Sequence, residues 1–284
     1  MGIDRQHGAS ASAIQAHYDL SNQFYSLWLD SSMTYSCALW GDEPEEALEA
    51  AQRRKLEYHI RSARAANAAR VLDVGCGWGS MLRALTEEHG VGKAVGLSLS
   101  QAQIEHIQGA NNAAVEGRLE SWTDHEPEEP YDAIISLGAT EHFVKPSHSD
   151  DERVDIYRSF FERCRSWLRD GGWLTVQTMG YGTGKFVASS AVAKVFPESD
   201  VPRLSQIVEA SDRLFRVETV QEHGDHYART CREWLRRLKT HRVEAVALVG
   251  EERAATWEHF LAAAINGYEY GIFVLYRISL EKIA

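Results

Sequence analysis

Between residues 69 and 179 the chain switches repeatedly between short apolar runs and longer stretches with helical spacing. "RVLDVGC" (70–76), "KAVGLSL", "AAVEGRL", "YDAIISLG" and "WLTVQTM" read as strands, bounded by polar or glycine-containing turns. Between them, "WGSMLRALTEEHG" reads as a helix closed by Gly90, and "SQAQIEHIQGAN" as a helix with Ser100 at its N-cap. "DDERVDIYRSFFERCRSWLRDGG" reads as a long amphipathic helix stopped by its two glycines. Such alternation predicts a doubly wound parallel sheet. Two later strands, "LFRVETVQEHG" and "YGIFVLYRISLE", are separated by helices over about 226–266 and complete a seven-stranded α/β sheet.

Upstream of the first strand, "ASAIQAHYDLSNQFYSLWLD" (11–30) spaces aromatic and aliphatic residues as helices that cover one face of a core. Residues 44–66 begin with proline and acids and turn basic, which suits a helix dipole. The expected organisation is one domain over 1–284: N-terminal helices (1–66), a core (67–180), a helical lid insertion (181–213), and C-terminal helices with closing strands (214–284).

Composition narrows the function. A formal net charge of −11 disfavours nucleic acid as a partner and electrostatic docking on anionic membranes. No apolar run reaches the length of a membrane span, and the start shows no signal peptide. Gln6 stands where a myristoylation signal needs serine or threonine. The four cysteines, Cys37, Cys76, Cys164 and Cys231, are scattered without a CxxC pair, which predicts a reducing cytoplasm and no metal site. No coiled-coil heptad marks an oligomer, so a homo-oligomer is expected only on general grounds.

The most informative motif is "VLDVGCGWG" (71–79), a strand running through Asp73 into Gly75, Gly77 and Gly79 and then a helix. Glycines there let the backbone approach a ligand closely. A dinucleotide site needs an acid about 20 residues on, where this chain has "KAVGLSLS". No Gly-Lys-Ser/Thr follows either. S-adenosylmethionine carries no phosphate, and its sulfonium and amino-acid tail suit such a turn.

Six stretches occur in order: "HYDLSNQFYSLWLD", "MTYSCALW", "VLDVGCGWG", "GLSLSQAQ", "GATEHF" and "HYARTCREW". Together, over about 16–280, they resemble the cyclopropane fatty acid synthase family, above all its mycolic acid cyclopropane synthases and related mycolate methyltransferases. The resemblance implies a class I methyltransferase Rossmann-like fold and methyl transfer from S-adenosylmethionine to an alkene carbon. A carbocation results, from which a bound bicarbonate takes a proton. Carried over by position, Tyr35 and Ser36 lie at the methionine end of the cofactor, with Gly75 and Gly77 beneath it. Ser98, Leu99 and Gln103 lie near the ribose, Gln103 in place of the usual acid, and Ser121 and Trp122 near the adenine. Thr123 stands where the family often has glutamate.

For the chemistry, the resemblance points to Glu141, Tyr227 and Cys37 around bicarbonate. Glu141 also follows a strand at the carboxyl edge, where doubly wound sheets place their sites. For Cys37 the family role is a backbone amide on the anion, and a small buried packer is the equal alternative. Aromatic faces stabilise a cation, and Tyr18, Phe24, Tyr25, Tyr35, Trp40, Phe143, Tyr181, Tyr227, Tyr268 and Tyr270 are available, most of them as core. His142 reads as structural.

Three features depart from the family. Its His-Thr-Ile after the fifth strand is Gln177-Thr178-Met179 here. Glutamine donates and accepts hydrogen bonds but does not become cationic. Either bicarbonate stays, held by Glu141, Tyr227, Gln177 and backbone amides, or it is lost in favour of a methyl branch, an exocyclic alkene or a cyclised substrate. The stretch from Gln177 to Tyr227 is shorter than in mycolate enzymes, with a glycine-rich "GYGTGKF" suited to closing over a site. An extra "VKPSHSDDERVD" follows the glutamate motif, with no role assignable.

The sequence therefore predicts a C-methyltransferase acting on an alkene of an apolar substrate, with the charge, the short lid and Gln177 leaning toward a small molecule or carrier-bound acyl chain. The alternatives are a fatty-acyl cyclopropane synthase, an O- or N-methyltransferase of a secondary metabolite with Glu141 or His142 as base, and a member that does not methylate.

Overall fold

A computed structural model describes residues 8–10, 15, 21–182, 195–196 and 198–284. Tyr18, most of the first predicted helical stretch, and most of the "GYGTGKF" loop lie outside the described residues. The elements in chain order are α1 (Asn22–Ser26), α2 (Leu48–Ser62), β1 (Arg70–Val74), α3 (Ser80–Arg83), β2 (Lys93–Ser98), α4 (Gln101–Gly109), β3 (Val115–Leu119), β4 (Tyr131–Leu137), α5 (Asp150–Trp167), β5 (Leu168–Tyr181), α6 (Leu204–Ser211), β6 (Phe215–Glu222), α7 (Gly224–Thr240), α8 (Arg242–Val249), α9 (Glu251–Glu269) and β7 (Phe273–Lys282).

The seven strands among the described residues form one sheet in the order β3-β2-β1-β4-β5-β7-β6. The first five are parallel, and β7 runs antiparallel between β5 and β6. β1 and β4 are buried on both faces, which explains their continuous apolar runs. The order reverses between β1 and β4, the switch point where such sheets open a crevice at their carboxyl ends.

Three local expectations change. The glycines at 171–172 do not stop α5. That helix ends at Leu168, which turns into extended backbone and pairs with Tyr131. Residues 169–172 form a bulge before Trp173 pairs with Ala133, and Gly171 takes the positive φ this requires. The helix after the glycine turn is α only over Ser80–Arg83 and continues as a π-turn over Ala84–Glu88. Within the segment expected to be lid, Ile207 and Ala210 of α6 are buried in the main core beside Phe160, Phe161 and Phe215. That stretch packs on α5, with the edge strand β6 beside it.

A second core lies between the N-terminal segment and helices α7 and α9. Tyr25, Trp28, Tyr35, Trp78, Trp234 and Trp257 meet there with ring centroids 4.8 to 6.2 Å apart. Two of these residues, Tyr35 and Trp78, also line the crevice.

Candidate active site

A cavity of about 890 Å³ opens at the carboxyl ends of β1 to β4. The ten residues expected around the cofactor, Tyr35, Ser36, Asp73, Gly75, Gly77, Ser98, Leu99, Gln103, Ser121 and Trp122, all line it. They come from the N-terminal segment, the carboxyl ends of β1, β2 and β3, and the first turn of α4, gathered by the parallel register of those three strands.

The glycine turn shows why it needs glycine. Gly75, Gly77 and Gly79 have φ of 82°, 54° and 79°. A Cβ on Gly75 would sit 2.6 Å from that of Ala139, whereas one on Gly77 would meet nothing within 4 Å. Gly77 thus leaves open space for a ligand against its backbone. The Gly75 and Cys76 amides both donate to the Leu97 carbonyl at 3.0 Å, which ties this turn to the next strand's end.

Around the rim, Ser98 donates to Gln103 Oε1 at 2.7 Å, so the amide nitrogen is what Gln103 can offer a ligand. Ser100 caps α4 as expected, accepting from the Gln103 amide at 3.3 Å. Trp122 packs at 5.0 Å from Phe143 and 5.5 Å from Phe160, with Ser121 bonded to Thr123 at 2.8 Å. At the floor, burial pushes the Asp73 carboxyl up to about 7, against the pull of Lys55. Lys55, lowered to about 8 by its own burial, donates to Ser36 Oγ at 3.0 Å.

None of Glu141, Tyr227, Cys37 and Gln177 lines this cavity. Cys37 and Glu141 are chain neighbours of the lining residues Ser36 and His142, and the Gln177 carbonyl accepts the amide of the lining residue Gly138 at 2.8 Å, whereas Tyr227 packs on the aromatic core of α7 and α9. Glu141 sits in a 3-10 turn after β4, and its Oε1 accepts the Met179 amide at 2.7 Å. Burial raises its carboxyl to about 7. Gln177 faces the same side of β5 as Met179, and its Oε1 accepts from Arg277 Nε at 3.0 Å. Arg277 also donates to the Cys37 carbonyl at 3.3 Å. Burial pushes the Cys37 thiol up to about 11, so it stays protonated at neutral pH. Tyr227 stacks against Tyr268, centroids 4.8 Å apart, and the Tyr268 hydroxyl has no partner among the described residues.

Of the other aromatic residues, Tyr35 and Phe143 line the cavity, while Tyr270 is 76% exposed. Trp40 is tied to α7 through Thr230 and the His226 carbonyl. His142 lines the cavity, bonded to Ser199 at 2.7 Å and lowered to about 4 by burial. Within the "VKPSHSDDERVD" stretch, Arg153 binds the Lys145 and His148 carbonyls and Asp200 Oδ2, the last at 2.6 Å. The Asp200 amide in turn donates to the Glu141 carbonyl at 3.1 Å, so the stretch braces the acid.

Sequence reasoning missed Gln52, Lys55 and His59, which lie on the buried side of α2, and Arg277, the buried cation of β7. Polar residues at 52, 55 and 59 share one helix face with Leu48, Ala51 and Leu56, and that pattern was visible. An arginine inside "FVLYRISL" was a second signal.

Comparison with known proteins fits this geometry. The profile of the family described as mycolic acid cyclopropane synthetase matches residues 5–278. Cyclopropane mycolic acid synthase 2 of Mycobacterium leprae is 34% identical over 272 residues, 88% of this chain and 86% of the relative. The structure of the cyclopropane synthase MmaA2 from Mycobacterium tuberculosis superposes with a TM-score of 0.88 at 28% identity, covering 98% of this chain and 100% of that one. The mycolic acid cyclopropane synthase CmaA1, complexed with SAH and CTAB, gives 0.86 at 29% identity over 97% and 99% of the two chains. The chain belongs to the mycolic acid cyclopropane synthetase family and is an S-adenosylmethionine-dependent methyltransferase.

Proposed function

We propose that the chain methylates an alkene carbon of a long acyl chain and closes a cyclopropane there. S-adenosylmethionine, when bound, supplies an electrophilic methyl group. The ten residues around the cavity hold it, with Lys55 at the floor as a cation suited to a carboxylate. The protein's part in the first step is alignment and exclusion of water. A new carbon–carbon bond forms as the carbon–sulfur bond breaks, leaving a cation on the acyl chain. The aromatic core beside Tyr35 offers ring faces to that charge. Loss of one proton from the transferred methyl lets its electron pair close the ring.

Glu141 is the observation that carries this reading. It is a buried acid behind the cavity wall, raised to about 7 and therefore able to exchange a proton near neutral pH. Beside Gln177 the buried Arg277 Nη1 has no partner among the described residues, a donor that suits the family's bicarbonate as proton carrier. The relatives named as mycolate synthases, and the complex of one with the long-chain detergent CTAB, favour an acyl chain over the small metabolite. A methyl-branched product is the second reading, favoured by Gln177, which cannot itself take a proton at neutral pH.

The test is incubation with trideuteromethyl S-adenosylmethionine and two acyl sources, unsaturated phospholipid vesicles and an unsaturated acyl carrier protein. Retention of two deuterons, with ring protons by NMR, is expected. Three deuterons would mean a methyl branch. Absence of S-adenosylhomocysteine with both sources would sink the acyl reading.

A further inference from the structure

Past the carboxyl end of β3, a hydrogen-bonded row stands beside the cofactor cavity. Glu120 Oε2 lies 3.2 Å from His125 Nδ1, and His125 Nε2 lies 3.1 Å from the hydroxyl of Tyr131, the first residue of β4. His125 and Tyr131 are fully buried. The imidazole packs on the Tyr131 and Trp167 rings, centroids 6.0 and 5.1 Å away. A carboxylate only accepts, so Nδ1 carries the ring hydrogen and Nε2 accepts from the tyrosine. Both ring nitrogens are thereby satisfied, and the ring holds one carboxylate oxygen in place. The local turn fixes it further. The Asp124 and His125 amides donate to the Ser121 carbonyl at 3.0 and 3.1 Å, and the Glu120 amide donates to the Ser98 carbonyl at 3.0 Å.

A buried histidine uses such an acid on structural grounds alone, and two observations take Glu120 further. It lines the cavity itself, tied through its backbone to Ser98 and followed in the chain by Ser121 and Trp122. Its contacts with His125 and Arg118 both run through Oε2, which leaves Oε1 without a hydrogen-bond partner among the described residues. The other acceptors at this end are engaged. Gln103 Oε1 accepts from Ser98, and the Ser121 and Thr123 hydroxyls bond each other at 2.8 Å. The Ser98, Leu99 and Ser121 carbonyls accept from the Glu120 amide, from Gln15 Nε2, and from the Asp124 and His125 amides. Asp124, the other acid lining this end, is exposed. A purine amino group buried here needs an acceptor, because an unmatched buried donor loses its hydration for nothing.

We infer that Glu120 recognises the 6-amino group of the cofactor's adenine through its Oε1, with His125 and Tyr131 as positioning residues that hold the other oxygen. This rests on the cavity being the cofactor's, and it names a residue outside the ten expected around it. A keto oxygen at the same ring position would meet the carboxylate acceptor to acceptor, so Glu120 discriminates adenine from hypoxanthine.

Binding is read without turnover, by calorimetric titration of the full chain with S-adenosylhomocysteine and with S-inosylhomocysteine, which carries oxygen in place of the amino group. Wild type should bind the adenosine ligand at least about tenfold more tightly. Glu120→Gln, whose amide can donate to a keto oxygen, should cut that ratio at least about threefold. His125→Phe, which keeps the acid but releases it, should cut the ratio part of the way. A purely structural role would weaken both ligands together and leave the ratio alone. If Glu120→Gln fails to fold, Glu120→Asp decides: a carboxylate withdrawn by one methylene should lower the ratio as well. No preference in wild type, or a wild-type ratio in Glu120→Gln or Glu120→Asp, would overturn the inference while leaving the cofactor site standing. Wild type that binds neither ligand would sink both together. Because turnover is not the readout, a failure of the acyl reaction leaves this result separately legible.

Discussion

At the scale of single residues, Glu141 shows how burial sets chemistry. Its carboxyl titrates near 7 in the fold against 4.5 in an open chain, because burial penalises the charged form more than the Met179 amide favours it. The folded protein thus binds the proton more tightly than the unfolded one. Stability from this group is full below about 4.5 and is lost as pH rises through about 7. A shift from 4.5 to about 7 corresponds to about 3 kcal/mol. Glu141→Gln should therefore match wild type in urea denaturation at pH 4, exceed it by only about 1 kcal/mol at pH 5, and exceed it by up to about 3 kcal/mol at pH 8. Asp73, also raised by burial, is common to both proteins and drops out of the comparison. A gap that stays constant between pH 5 and 8 would mean that Glu141 is not held as described. Glu141 was visible in the sequence as an acid after a strand. The buried neighbours of Arg277 were not, because they come from α2, β5 and β7, and nothing local announces that those elements meet.

Elements carry the site because their ends are fixed. α5 begins with a capping box: Ser149 Oγ accepts the Glu152 amide at 3.3 Å, and Glu152 Oε2 accepts the Ser149 amide at 2.8 Å. One turn on, Arg153 grips the preceding loop and Asp200, whose amide holds the Glu141 carbonyl. The cap therefore acts on the acid through one arginine. Ser149→Ala should cost about 1 kcal/mol of stability, largely restored by Ser149→Asp, as read from the urea midpoint. Equal midpoints for the alanine and wild-type proteins would show that the box contributes nothing. Periodicity located this helix and all seven strands, since both faces of the central strands are apolar and the helices are not. It misplaced the end of α5 because glycine marks a positive φ without saying what needs it, and here a strand bulge does. The Ala84–Glu88 π-turn has no signature in apolar spacing and could not have been read.

The whole molecule is organised around the cavity as much as around its cores. Tyr35 and Ser36 reach it from the N-terminal segment, and Asp73 to Trp122 from the parallel half of the sheet. Tyr35 also belongs to the aromatic core with Trp234 of α7 and Trp257 of α9, at 5.2 and 6.2 Å. Arg237 of α7 fastens that assembly to Glu49 of α2 at 2.9 and 3.0 Å. A ligand in the cavity touches the sheet and the segment that these helices pin. Binding energy should then be felt by the entire chain as one cooperative unit. S-adenosylhomocysteine at about 100 times its dissociation constant should add about 2.7 kcal/mol. For a chain of 284 residues that moves the melting point by roughly 4 to 5 °C. Calorimetry should show a single transition that shifts intact. Two transitions, only one of which follows the ligand, would mean that the aromatic half folds independently of the sheet it covers. In that case the cavity would be a joint between two bodies, and Tyr35, which lines it from the aromatic side, would report on their contact rather than on a shared core.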